Sequence, residues 1–200
     1  MSRAPQPLGR RERNKQAKLE RITAAASELF VERSVDEVTT QEIADKADIG
    51  TGTLFLYVKT KGELLLLVQN ARYAAALERG RAAAVDAGGA LDAVTALITP
   101  IVECNRVQVD NGRLYLREMI FGDSAEPHNA EALCIVGETE QAAAGLLAQH
   151  AGLDTAEAAT LAHVVSAIIF LAMASTVDPD VSVPEVVASI RGQVSAILPR

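Results

Sequence analysis

Only two cysteines, Cys104 and Cys134, occur among the 200 residues. That is too few for a disulfide framework, so the expectation is a chain that folds without staples in a reducing compartment. The first thirty residues hold arginines where a secretory signal would need an apolar core, which points to the cytoplasm. No apolar run reaches the roughly 20 residues that a bilayer needs. The longest, Leu161 to Val177, is interrupted by His163, Ser166, Ser175 and Thr176; it reads as a buried helix, and no membrane partner is expected. No stretch alternates apolar and polar residues long enough to make a strand, whereas apolar spacings of three and four recur throughout. The fold class is therefore all-α, with about nine or ten helices.

Groupings that carry chemistry are missing as well. His128, His150 and His163 lie far apart, and no set of His, Cys or carboxylate residues has the spacing of a metal site. A glycine-rich phosphate loop is absent too. His163 and Ser166 share a helix face, but with no acid near them in sequence they suit a satisfied core or interface pair better than a proton relay. Catalytic residues, a metal and a cofactor are therefore not expected, and the two cysteines read as small buried apolar residues.

Lysine is lacking from everything beyond Lys61, and this absence is the informative one. The net charge of -7 is unevenly spread: residues 1–21 carry seven arginines and lysines against two glutamates, whereas residues 63–200 carry eight basic against 17 acidic residues. A basic arm and head on an acidic body is the pattern expected when only one end meets a polyanion. Residues 1–9 read as a disordered basic arm, residues 10–60 as the head and residues 61–200 as the body.

What is present in the head has a definite order. Ile22, Ala25, Ala26, Leu29 and Phe30 form an apolar stripe on a helix from about Arg10 to Arg33. Thr39 with Glu42 makes a capping box, and the same device recurs at Thr60 with Glu63, Asp154 with Glu157 and Ser182 with Glu185. The spacing then predicts a short helix over 41–47, a turn at Asp48, Ile49 and Gly50, and a second short helix over 51–58, which together form a helix-turn-helix. Ile43, Ala44, Ala47, Ile49 and Leu54 face inward. Thr51, Gly52 and Thr53 then stand at the start of the second helix, where short hydroxyls and a missing side chain allow close approach to base edges. Tyr57 and Lys61 lie beyond, suited to phosphates, and the helix starts near Gln41 and Lys61 offer free amides to a phosphate.

Residues 10–67, with the pattern Ile22-Thr-Ala-Ala-Ala-Ser-Glu-Leu-Phe30 and the segment from Val38 to Leu65, resemble the tetracycline-repressor (TetR) family of bacterial regulators. The resemblance implies that Thr40 contacts phosphate, that Gln41, Thr51 and Thr53 lie near bases, and that Tyr57 and Lys61 meet the backbone. Thr39, Gly52 and Phe55 complete the expected DNA-binding set. Phe55 and Val58 depart from the tyrosine and phenylalanine common at these places, and Phe55 can offer only an apolar contact, such as one to a thymine methyl.

The body has other requirements. Between Leu161 and Met173 apolar residues occupy all sides of a helix, which calls for burial on more than one face. The preceding helix, from about Pro127 to His150, carries the small run Ala142-Ala-Ala-Gly145. The resemblance implies a homodimer joined by a four-helix bundle, with Ala142, Gly145, Leu146, Leu161, Val164, Val165, Ile168 and Ala172 at the interface. It also implies a small-molecule effector held between the helices from Leu64 to Leu147 and release of a palindromic operator DNA by a repressor. Tyr73, Ile98, Val102, Asn105, Tyr115, Arg117, Met119, Phe121 and Leu133 are placed near that pocket. Two other readings stay open at this level: a helical carrier or enzyme whose motif no longer binds DNA, and a protein-interaction module.

Overall fold

The computed structural model describes residues 9–199. The arm expected at 1–9 therefore lies outside the described residues, except for Gly9, which precedes the first helix. Nine α-helices and no strand occur among the described residues. Helix α1 spans Arg10–Glu32, α2 Thr40–Lys46 and α3 Thr51–Leu54. The body comprises α4 Lys61–Ala84, α5 Ala90–Arg106, α6 Val109–Phe121, α7 Pro127–Ala151, α8 Thr155–Ser175 and α9 Val183–Ile197.

Local chemistry accounts for most of these boundaries. Thr39, Asp154 and Ser182 each close a complete capping box with the glutamate three residues on. At α4 the device is half present: the Thr60 hydroxyl accepts from the Glu63 amide, but the Glu63 carboxylate takes the Lys59 amide instead of that of Thr60. Helix α7 ends on Gly152 at φ 67°, a left-handed conformation that a Cβ would strain. Helix α3 is a single α-turn, because beyond Leu54 the bonds tighten to Thr53 O–Leu56 N and Leu54 O–Tyr57 N; the expected helix to Val58 therefore continues as hydrogen-bonded turns.

The head packs Ile22, Ala26 and Phe30 of α1 with Val35, Val38, Ile43 and Leu54, each at most 2% exposed. Truncating Phe30 to alanine should cost about 3–5 kcal/mol. The same apolar core continues without a break into the body through Leu64, Leu65 and Val68 of α4. In the body α4 lies against α5 and α7, while α5 and α8 both meet α9. The α4–α5 approach depends on Gly80, where a Cβ would stand 2.0 Å from the Leu97 carbonyl oxygen.

Helix α8 is 21 residues long with a mean hydropathy of 1.9 over its most apolar stretch. By length and composition it could cross a membrane, which the sequence alone did not suggest. Its Asp154–Glu157 capping box and its packing on α7 and α9 make it a helix of the bundle.

Candidate nucleic-acid interface and ligand cavity

Two sets of cations stand out in the head. Arg21 pairs with Asp48 (3.1 Å), Arg33 with Glu42 (2.8 Å), Lys46 with Glu28 (2.7 Å), and Lys59 with Glu126. The neighbouring carboxylates raise the Lys46 and Lys59 ammonium groups above their ordinary values. These residues brace the motif. Arg21 bonds both the side chain and the carbonyl of Asp48, which holds the one non-glycine residue of positive φ (52°) among the described residues in the interhelical turn.

Arg10, Arg11, Lys15 and Lys18 form no ion pair among the described residues. Positions 11, 15 and 18 recur at helical spacing on one face of α1. With Arg10, Asn14 and one acid, Glu12, they line a cleft whose other wall is Thr53, Leu56 and Tyr57, so cations outnumber the acid four to one. The cleft therefore sets unneutralised cations beside the exposed end of the second motif helix, an arrangement suited to a phosphate backbone running alongside base edges. The α1 cations and Leu56, which is 81% exposed, were missed as site residues in the sequence, although the 11/15/18 spacing was there to be read.

The predicted contact residues fare differently one by one. Thr51 donates its hydroxyl to Gln41 Oε1 (2.7 Å), and Gln41 Nε2 donates to Asp45 Oδ1 (2.6 Å). The starts of α2 and α3 are thereby linked on the outer face. Gly52 is exposed, and a Cβ there would meet nothing within 4 Å, so no internal packing requires the glycine. Phe55 is 51% exposed on the same side, while Thr40, Thr53 and Tyr57 are half-buried.

Thr39 and Lys61 have internal roles in place of the expected ones. The Thr39 hydroxyl donates to Glu42 Oε2 (2.8 Å) and accepts from the Glu42 amide (3.2 Å), which uses its donor in the helix cap. The Thr39 amide and hydroxyl, aided by Arg33, hold the Glu42 carboxyl down at about 2. Lys61 Nζ donates to the carbonyls of Val35 (2.7 Å), Val38 (3.1 Å) and Asp36 (3.4 Å). An ammonium has three donors, so Lys61 is a clasp on the α1–α2 loop and not a free phosphate contact.

The same loop is held from the other side by Asn111, wholly buried in the first turn of α6. Asn111 Oδ1 accepts from the Val35 amide (2.7 Å), and its Nδ2 donates to the carbonyls of Phe30 (2.8 Å) and Arg33 (3.0 Å). Helix α6 thus grips the head at one end. Its other end walls a cavity.

That cavity, of about 310 Å³, lies between α4, α5, α6, α7 and α8. Tyr73, Tyr115 and Met119 line it as expected, joined by Ile101, Leu116, Ile135 and Phe170. The two tyrosine rings stack with centroids 4.4 Å apart, and burial pushes both phenols up. Ile98 and Val102 are buried but do not reach the cavity; the turn of α5 presents Ile101 there instead. Asn105 stands behind the wall, donating to the Tyr73 hydroxyl (2.9 Å). Arg117 pairs with Glu118 (3.1 Å), and with the 81% exposed Phe121 it faces a separate outer groove. Leu133 lies on the outside of α7.

Helix α8 was expected only at an interface, yet His163, Ser166, Phe170 and Met173 face this cavity. His163 is exposed and not a core residue, and the acid missing from its sequence neighbourhood is Glu140 on α7, 3.0 Å from Nδ1. Val165 is 1% exposed and belongs to the core of its own protomer, which removes it from an interface; Val164, at 41%, faces out. Gly145 is exposed, and Ala142, Leu146, Leu161, Ile168 and Ala172 are half-buried. Cys104 is buried, which pushes its thiol up to about 11, whereas Cys134 is exposed and not the buried residue expected.

A helix-turn-helix beside a basic cleft is carried on a larger helical body with an apolar cavity, the fold of a transcriptional regulator. Residues 22–68, most of the head and the first turns of α4, match the family described as bacterial regulatory proteins, tetR family. No curated protein matches the chain. Solved structures match over most of it. A TetR transcriptional regulator from Rhodococcus sp. RHA1 is 21% identical with a TM-score of 0.65, covering 92% of this chain and 97% of that one. A TetR-family repressor of Thermus thermophilus, FadR, solved in complex with lauroyl-CoA, is 22% identical with a TM-score of 0.62, covering 91% and 96%. The fatty acid degradation regulator FadR of Bacillus halodurans is 14% identical with a TM-score of 0.63, covering 90% and 99%. At these identities the likeness is one of fold.

Proposed function

We propose that the chain is a ligand-responsive repressor that binds a palindromic operator as a cytoplasmic homodimer and leaves it when a small molecule enters the body. The observation that carries the DNA reading is the cleft in which Arg10, Arg11, Lys15 and Lys18, unpaired among the described residues, face Thr53, Leu56 and Tyr57. Thr40 and the α1 cations serve the phosphates. Gln41, Thr51, Gly52, Thr53 and Phe55 face the bases. The head is residues 10–60, the body residues 61–200, and α4 is packed into both.

The dimer forms through α7 and α8. Only 28% of the most apolar window of α8 is buried within the protomer, and Val164 and Leu171 stand 41% and 64% exposed on it. Gly145 on α7 has open space where a Cβ would be, which leaves room for a partner helix. Two-fold pairing also matches the symmetry of a palindrome.

Ligand entry reaches the head through α6. Tyr115, Leu116, Met119 and Ile120 of α6 wall the cavity, and Asn111 at its start holds the α1–α2 loop. A ligand that rotates or shifts α6 moves the loop with it and re-aims the motif. The Thermus FadR, a repressor of similar fold, was solved in complex with a small-molecule thioester, lauroyl-CoA, which supports an effector for this chain.

Binding to a labelled duplex pool, measured over a range of salt concentrations, tests the reading. The logarithm of affinity should fall linearly with the logarithm of salt, with a slope that reports the phosphates contacted. A folded protein that shows no salt-dependent retention at low ionic strength would remove it.

A further inference from the structure

The cavity of the body also limits what can enter it, and this inference rests on the effector reading above. We propose that its ligand is a lipophilic molecule whose one polar end is a hydrogen-bond donor, an amine or an alcohol, and that carboxylates and other anions are rejected. The polar groups left free to meet a ligand set this preference.

Most of the wall is aliphatic or aromatic, including Ile101, Leu116, Met119, Ile135 and Phe170. Each tyrosine hydroxyl has one partner, which commits the Tyr115 proton and leaves the Tyr73 proton free deep in the wall. Asn105 Nδ2 donates to Tyr73 Oη (2.9 Å), and Tyr115 Oη donates to Asn70 Oδ1 (3.0 Å). The Thr139 hydroxyl donates to the Ile135 carbonyl (2.8 Å). What remains toward the mouth is Glu140, His163 and Ser166. Glu140 Oε1 sits 3.0 Å from His163 Nδ1, and Glu140 Oε2 makes no hydrogen bond or ion pair among the described residues.

His163 is 78% exposed and Glu140 27% by side chain, while Tyr73, Tyr115 and Met119 are buried. The acceptor therefore lies toward solvent and the apolar space lies deeper, the arrangement for a molecule with one polar end. No lysine or arginine lines the cavity. An anionic end would be brought against the Glu140 carboxylate with no lysine or arginine to compensate. An ammonium or hydroxyl would donate to Glu140 Oε2 while its chain fills the interior. At about 310 Å³ the space is at the small end of ligand sites, roughly 300–1,000 Å³.

Calorimetric titration of the full-length protein at neutral pH with decylamine, decanol and decanoate, each below its micellar concentration, tests the proposal. The amine and the alcohol should bind, and decanoate should bind at least about tenfold more weakly. Glu140→Gln, nearly isosteric at a partly exposed position, should weaken the amine and narrow its gap to decanoate. Decanoate binding as tightly as decylamine, an unchanged ratio in E140Q, or no binding of any of the three would overturn it. Binding in the expected order without any effect on duplex affinity would support this ligand class and count against the effector reading. Duplex release by all three probes equally would do the reverse.

Discussion

Head and body solve opposite problems with the same element. The head uses two short helices set on the long α1, a capping box and ion pairs to hold a polar outer face rigid, and it leaves one row of cations unpaired along α1. The body uses long helices that bury apolar faces and enclose a space in which almost every polar group already has a partner. A surface that reads a polyanion needs unpaired charge outside. A cavity that reads a lipophile needs paired polarity inside. The two meet at the α1–α2 loop, held by Lys61 from α4 and Asn111 from α6.

Breaking the body's outer surface should have the largest effect. Ile168→Asp places a charge on the half-buried side of α8 and should convert the dimer to monomer, seen by sedimentation, with loss of tight operator binding. A native dimer carrying this change would exclude α8 from the interface. Asn111→Ala comes next. It leaves the Val35 amide and the carbonyls of Phe30 and Arg33 without this partner, and should lower unfolding free energy by about 2–3 kcal/mol in urea titration, with a parallel loss of duplex affinity. An unchanged midpoint would show that the clasp contributes nothing.

Within the head, Thr53→Ala should change preference at one base position by about 1–3 kcal/mol, read by competition between duplexes. Lys18→Ala should instead weaken binding to every duplex and reduce the salt slope by about one. Lys61→Ala should reduce stability with the slope intact, because its ammonium holds loop carbonyls. A slope change in the Lys61 variant, equal to that of Lys18, would return Lys61 to the phosphate set.

The smallest effect concerns acid. The Glu42 carboxyl lies at about 2 in the folded chain against an ordinary 4.5. A folded value below the unfolded one stabilises above pH 4.5, and the contribution is lost as pH falls toward 2. The stability difference between wild type and Glu42→Gln should therefore be constant near neutrality and shrink across that window. A difference independent of pH would deny the carboxylate its role in the cap.

The head was more legible than the body for a physical reason. Capping boxes join residues three apart, the turn between α2 and α3 is local, and the apolar stripe from Ile22 to Phe30 follows one helix; each is visible in a short window. Even there, the sequence could not show that Thr39 and Lys61 have internal partners, since Lys61 meets carbonyls more than twenty positions away. In the body, rotation of each helix decides the outcome. Ile101 and not Ile98 reaches the cavity, and Val164 and not Val165 faces out, because one residue turns a side chain by 100° or so on a helix. Glu140 and His163 were unreadable as a pair because only the packing of α7 on α8 brings them together.

Sequencing of fragments that the purified protein selects from a random duplex pool addresses the DNA-reading dimer most directly. The expected result is enrichment of a palindrome whose half-sites lie about one helical turn, roughly 10 base pairs, apart, with the Thr53→Ala variant altering the consensus inside each half. A folded protein that enriches no sequence at low salt, or only sites without two-fold symmetry, would contradict it.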